Sequence, residues 1–253
     1  MIKDKKILVV VPARGGSKGV KLKNIKTLRG VPLVTLVGRV VQQLPWVDRA
    51  VVSTDHDEIA AAAAAGGLEV PFRRPESLAG DRIADWDVLD HALTACEELD
   101  RCQYDIVVML QPTSPFRRPE HVTAAVEHLL AGNFDAVWTV SETDSKAHPL
   151  KQLVIREGRL DYYDAAGAQI IARQQLEPVY HRNGVAYAIS RDCLKNKMSI
   201  KGERTSAVVI DDLLVNIDTP EDFAYAEFLL QQGVSGLQEI FSDPAISSDV
   251  KKG

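Results

Sequence analysis

Apolar positions along this chain fall on two alternating periods. "KKILVVV" (5–11) is an unbroken apolar run, as expected of a central strand buried on both faces. "PLVTLVGRVVQQL" (32–44) switches to helical spacing, and "RAVVSTD" (49–55) returns to a short strand with a polar end. "HDEIAAAAAAGGLEV" predicts a helix, because Ala60 to Ala65 are strong formers and Gly66-Gly67 stops them. "ADWDVLDHALTACEEL" predicts another helix and "YDIVVML" another strand. "RPEHVTAAVEHLLAG" predicts a helix with Pro119 near its start and Gly132 at its stop. "FDAVWTVSE" is again a strand. From about 145 the pattern loosens. "LKQLVIREGRLDYYD" reads as a hairpin turning at Gly158, and the chain returns through the alternating "HRNGVAYAIS". "LLVNIDTPEDFAYAEFLLQQG" predicts a last strand, a turn and a helix, with Thr219 as cap and Pro220 at the first position.

Strand–helix alternation of this kind predicts an α/β sandwich around a mostly parallel sheet. Such sheets bind ligands beyond the carboxyl ends of their strands. Four predicted strand ends carry polar clusters: Arg14 to Lys18, Ser53-Thr54-Asp55, Gln111 to Ser114, and Ser141 to Asp144. We read 1–233 as one domain, 145–182 as an insertion, and 234–253 as a weakly patterned tail expected to be partly mobile.

Composition narrows the classes. At 253 residues and 45% hydrophobic, the chain has material for one sizeable core. A formal net charge of -5 argues against general nucleic-acid binding. No apolar run reaches the roughly 20 residues that span a bilayer. "MIKDKKILVVV" lacks a small-residue cleavage site, so no signal peptide is expected. Three cysteines without metal-ligand spacing fit reduced thiols and a cytoplasmic location.

Against that acidic background, Arg14 to Arg29 holds six Lys/Arg residues and no acid. Gly15, Gly16 and Gly19 let backbone N–H groups approach an anion, and Arg14, Lys18 and Lys23 add positive charge. The stretch matches neither the P-loop nor the dinucleotide fingerprint. A solvated basic loop is the plain alternative, but such loops usually mix both signs. A polyphosphate suits the stretch better.

"PARGGSKG", "KNI", "VVSTDHDEIA", "RRPESLAGD", "LQPTSPFR", "HPLK", "RQQL", "NGVAY" and "IDTPEDF" occur in one order from Ile7 to Leu230. In this the chain resembles the acylneuraminate cytidylyltransferases, the CMP-sialic acid synthetases and their relatives. The resemblance implies a nucleotide-diphosphosugar transferase (GT-A-like) fold: a three-layer α/β/α sandwich with a mostly parallel mixed sheet and a dimerisation insertion. It implies an enzyme that couples CTP with a 3-deoxy-2-ulosonic acid of the sialic type, yielding the CMP-sugar and pyrophosphate, Mg²⁺-dependent and homodimeric. Other acceptors remain open at this point (legionaminic- or pseudaminic-type sugars, a Kdo-type sugar, a phosphonate), as does a nucleotide-binding module without turnover.

By the same resemblance, Arg14, Lys18, Lys23 and Asp218 would form the catalytic group. Ala13, Arg14, Gly15, Ser17, Lys18, Lys23, Asn24, Arg74 and Asp85 would hold the nucleotide. Gln111, Lys151, Arg173, Gln174, His181 and Asn183 would face the acceptor, with Lys151 supplied across a dimer. Asp218, with Asn216, would carry Mg²⁺. Asp218 also suits a plain helix-entry turn, Arg74 a surface loop charge and Gln111 a strand-end turn. The chain departs from the family pattern at Asn216, where a second aspartate is usual, at His181 for arginine, at Asp85 for serine and at Lys21 for proline. Asp211 and Asp212 lie upstream as further carboxylates.

Overall fold

The structure, a computed structural model, describes residues 2, 4–17, 19–233 and 238–241. In chain order its elements are β1 (Ile7–Pro12), β2 (Thr27–Leu28), β3 (Val31–Pro32), α1 (Leu33–Val41), β4 (Arg49–Ser53), α2 (Asp57–Ala65), α3 (Asp85–Asp100), β5 (Ile106–Met109), α4 (Pro119–Gly132), β6 (Ala136–Glu142), β7 (Leu153–Arg156), β8 (Arg159–Tyr162), β9 (Tyr180–Ser190), α5 (Arg191–Lys195), β10 (Thr205–Val209), α6 (Pro220–Gln231) and α7 (Gln238–Phe241). The central sheet runs β10-β6-β9-β5-β1-β4. The β1–β4, β1–β5 and β6–β10 pairs are parallel, while β9 is antiparallel to both β5 and β6.

The unbroken apolar run of β1 follows from helices on both faces. Ile7, Val9 and Val11 enter one core with α1, α2, α4 and α6, while Leu8 and Val10 enter the other with α3 and α5. Period-two geometry turns one hydrophobic run into two cores. This is the three-layer sandwich with a mixed, mostly parallel sheet that the alternation and the resemblance imply. α6 starts as its sequence predicts. The Asp222 N–H donates to Thr219 Oγ1 at 3.3 Å, and the Thr219 N–H donates back to Asp222 Oδ2 at 2.8 Å.

One expectation fails. Leu213–Ile217 is not a strand; within it the Ile217 N–H bonds the Thr113 carbonyl at 2.8 Å. Alternate positions Val215 and Ile217 are buried there, so the strand-like pattern reflects burial without pairing. The last strand is instead β10, at the sheet edge beside β6.

Between β6 and β9 the chain leaves the central sheet. It forms short 3-10 turns and the β7–β8 hairpin, and rejoins the sheet at Tyr180. Ile155 and Ile171, in this excursion, are 72% and 93% exposed. In the tail, Gln238–Phe241 is helical with Ile240 buried; the remainder of 234–253 lies outside the described residues. No helix among the described residues is long and apolar enough to cross a membrane.

Candidate active site

A cleft of about 590 Å³ opens where β1 and β5, neighbours in the sheet, end. Arg14, Ser17, Lys23, Asn24, Arg74, Asp85, Gln111, Asn216 and Asp218, all singled out from the sequence, line it. Three of the four polar strand ends serve this region. The fourth, after β6, lines a separate 170 Å³ cavity with Glu142, Thr143, Asp144 and His148.

The glycine-rich loop after β1 is held from below. Ala13 is fully buried and its N–H bonds the Ser53 carbonyl at 2.9 Å. The Gly15 N–H donates to Asp55 Oδ1 at 2.8 Å, and Asn24 Nδ2 bonds the Arg14 carbonyl at 3.0 Å. A β-carbon on Gly19 would stand 2.5 Å from the Asp218 carbonyl oxygen, so this backbone approach requires glycine. Lys18 lies outside the described residues.

Two cations of this loop, Arg14 and Lys23, are not bare, which corrects in part the impression its sequence gives. Arg14 Nη2 meets Asp81 Oδ1 at 2.8 Å, and Lys23 Nζ meets Asp218 Oδ1 at 2.7 Å. The acids come from distant segments and fold onto the loop. Arg74 forms a deeper wall. It is 4% exposed, bonds Ser53 Oγ at 3.0 Å, and its guanidinium is pushed down to about 10, by burial first and then by Arg14. It therefore stays charged at neutral pH, with Asp55 and Asp85 offsetting part of the burial.

Across the cleft, Gln111 lies two residues beyond the end of β5. Its N–H bonds the Gly184 carbonyl at 3.3 Å. Gly184 has φ of +71°, and a β-carbon there would come within 2.5 Å of Ser114 Oγ and 2.6 Å of Gln111 Oε1. Behind this junction lies Arg117, which the sequence reading passed over inside "LQPTSPFR". It is 1% exposed and donates to the carbonyls of Val185, Gln111 (2.7 Å) and Gly184 (2.8 Å). A flexible point charge cannot serve three carbonyls in one plane as a guanidinium does. Its lodging between two prolines and the strand-end glutamine was the available signal.

Asp85, at the start of α3, also lines the cleft. Burial pushes its carboxyl up, opposed by Arg182 and Arg74. Arg182 Nη1 stands 4.0 Å from Asp85 Oδ2, and its guanidinium lies 5.5 Å from the centre of the Trp138 ring.

Five expected acceptor residues do not line this cleft. Asn183 is 5% exposed, and its amide is engaged by Thr139 Oγ1, the Val185 N–H and Ser141 Oγ. It ties β9 to β6. His181 Nδ1 pairs with Thr143 Oγ1 at 3.0 Å, away from the cleft. Lys151, Arg173 and Gln174 lie on the excursion, exposed, with Arg173 beside the smaller cavity.

Among the described residues, no group of three His, Cys, Asp or Glu side chains is set to hold a metal. The cleft offers Asp218, with Asn216 Nδ2 donating to Asp218 Oδ2 at 3.0 Å. One carboxylate beside one amide fits Mg²⁺ only as a partial shell that phosphate oxygens and water complete. Asp211 and Asp212 do not make up the difference. Neither lines the cleft, and Asp212 is committed to Arg118 and to His121 Nε2, the latter at 2.7 Å.

The cytidylyltransferase family model matches residues 8–240. The CMP-N,N'-diacetyllegionaminic acid synthase of Legionella pneumophila is 33% identical over 230 residues, covering 89% of this chain and 97% of that protein. N-acylneuraminate cytidylyltransferase A of Danio rerio is 30% identical over 228 residues, covering 89% of this chain and 51% of the longer fish protein. Among solved structures, CMP:2-keto-3-deoxy-manno-octonic acid synthetase complexed with CTP superposes with a TM-score of 0.65 at 20% identity, covering 90% of this chain and 99% of that one.

Proposed function

Because this chain belongs to the cytidylyltransferase family, we propose that it couples CTP with a sialic acid-like nonulosonic acid, releasing pyrophosphate and forming the CMP-sugar. One observation carries the reading: Arg14, Lys23 and Arg74 converge on a single cleft, facing Gln111 and Asp218. The names of the two relatives, which point to nonulosonic acceptors, support the choice of sugar.

In this mechanism the anomeric hydroxyl of the acid attacks the α-phosphorus in line. The new P–O bond forms as the bond to the β-phosphate oxygen breaks, and the hydroxyl proton leaves to solvent or a base. Charge grows on the α-phosphoryl oxygens and the leaving pyrophosphate. Arg14 and Lys23 stabilise it, being already fixed by Asp81 and Asp218. Arg74, rigidly bonded to Ser53, keeps its charge in place without reorganisation. Gln111, set by Arg117 and Gly184, orients the acceptor. Asp218, with Asn216, would hold Mg²⁺, which when bound neutralises phosphate charge.

We also propose a homodimer formed through the excursion between β6 and β9, supported by the exposed Leu153, Ile155, Leu160 and Tyr163 on and beside its hairpin. Three free cysteines suit the reducing cytoplasm.

The test is pyrophosphate release with CTP, Mg²⁺ and a panel of nonulosonic and shorter ulosonic acids, with UTP, GTP and ATP as controls. Release confined to CTP and one acid establishes the reaction and its acceptor. CTP binding with no release from any acid would overturn it in favour of a nucleotide-binding module.

A further inference from the structure

The proposed reaction leaves open which part of the acceptor the protein reads. Asp85 and Arg182 bear on this. They belong to different elements, the first turn of α3 and the first third of β9. At 4.0 Å they face each other without a close hydrogen bond. Asp85 thus keeps acceptor capacity and Arg182 keeps donor capacity.

Strand geometry fixes which β9 residue reaches this side. Successive side chains point to opposite faces of a strand. Asn183 points to Thr139 and Ser141, and His181 to Thr143. Arg182, between them, points the other way, over Trp138 toward Asp85. Two residues on, the Gly184 carbonyl accepts from the Gln111 N–H; Gln111 and Asp85 line the cleft, and Arg182 stands just outside its lining, beside Asp85.

We propose that Asp85 and Arg182 form a specificity subsite for an acylamino substituent of the acceptor, Asp85 accepting its N–H and Arg182 donating to its carbonyl. This deepens the proposed function and rests on it. The pair is neutral as a unit, and it presents one acceptor beside one set of donors. A carboxylate would meet Arg182 but be repelled by Asp85. An ammonium would meet Asp85 but be repelled by Arg182. A neutral amide has its donor and acceptor on adjacent atoms and satisfies both, while a hydroxyl on a single atom engages one partner well at a time. The Trp138 face beneath the guanidinium limits its movement.

The experiment compares two acids that differ at one carbon, acylamino against hydroxyl, with wild-type protein and with Asp85→Ala, Asp85→Asn, Arg182→Ala and the double alanine variant. Steady-state kinetics gives KM for each acid and for CTP separately. Saturation-transfer NMR in the presence of CTP gives binding of each acid independently of turnover. Loss of a hydrogen bond to a charged partner is expected to weaken the acylamino acid about ten- to a hundred-fold. With Arg182→Ala the hydroxyl acid should change less than threefold, and KM for CTP should stay within twofold. The double variant should lose little beyond either single one, since both read one group. Equal loss on the two acids overturns the subsite while leaving the reaction standing, and so does a rise confined to KM for CTP, which would put Asp85 on the nucleotide. Should the wild type release no pyrophosphate, the NMR ratio between the two acids still decides the subsite, separately from the failure of the reaction.

Discussion

Replacing Lys23 with methionine separates charge from packing in the cleft. The lysine side chain is 14% exposed, so its stem is largely buried, and methionine retains most of that apolar contact. What disappears is the 2.7 Å ion pair with Asp218, whose side chain is 64% exposed. A pair so open to water is worth about 0–1 kcal/mol of stability. For a domain of this size that lowers Tm by no more than about 4 °C. The catalytic cost belongs to another scale. A fixed donor aimed at charge developing in the transition state contributes about 2.7–4 kcal/mol, a loss of roughly 10²–10³ in rate. Lys23→Met should therefore melt close to wild type yet lose two to three orders of magnitude in kcat/KM for CTP, read by continuous pyrophosphate release. A variant within threefold of wild type would refute the placement of triphosphate against Lys23. A large fall in Tm with intact kinetics would make the pair a fold element.

Gly184→Ala must accommodate both a left-handed backbone and a β-carbon 2.5 Å from Ser114 Oγ. The two costs, about 1–2 and 1–3 kcal/mol, predict a Tm lower by roughly 4–20 °C, less in a Ser114→Ala background; unchanged melting would refute the tight junction. Arg117→Met removes three hydrogen bonds from a fully buried cation to carbonyls, of which the Gly184 one keeps the Gln111 N–H and the Gln111 one the Ser114 N–H. It should cost about 3 kcal/mol or more by denaturant titration, and Arg117→Lys should not restore it. The carboxyl of Asp135, 3% exposed, is held below the usual carboxylate range by the hydrogen bond from Lys197, then by the Arg204 N–H. A depressed folded value stabilises above the unfolded value of about 3.9 and is lost as pH falls through the folded one. The gap in Tm between wild type and Asp135→Asn should be full at neutral pH and shrink on acidifying below about pH 4, and a gap constant with pH would show that Asp135 is not the source.

Elements with strong periodic signals were readable in the sequence for simple reasons. The β1 run is apolar on both faces because helices cover both, and α6 carries its own cap in Thr219 and Asp222. Where the reading failed, burial and pairing had come apart. Val215 and Ile217 alternate like a strand because the core takes them, yet no strand lies beside them. The true edge strand, β10, is a short run with mostly half-buried side chains and so a weak pattern.

The same limit governs the site. Residue types that bind phosphate stand together in the sequence from Arg14 to Asn24 and can be read there. Their partners cannot, because Asp55, Asp81 and Asp218 arrive by folding, from 40 residues away in the first case and 195 in the last. That distinction changes the physics of the loop. Unpaired cations of the same number would repel one another and hold the loop open. With Arg14 on Asp81 and Lys23 on Asp218, two of the loop's six cations are paired and held in place before any ligand arrives. On the proposed reading, a triphosphate would replace carboxylates around donors already in position, so little ordering entropy would be lost on binding. The same exchange would release Asp218 from Lys23 as the phosphates that would complete a cation's shell enter the cleft. A lone carboxylate beside Asn216 is thus suited to a metal that comes with its nucleotide and poorly suited to one held permanently.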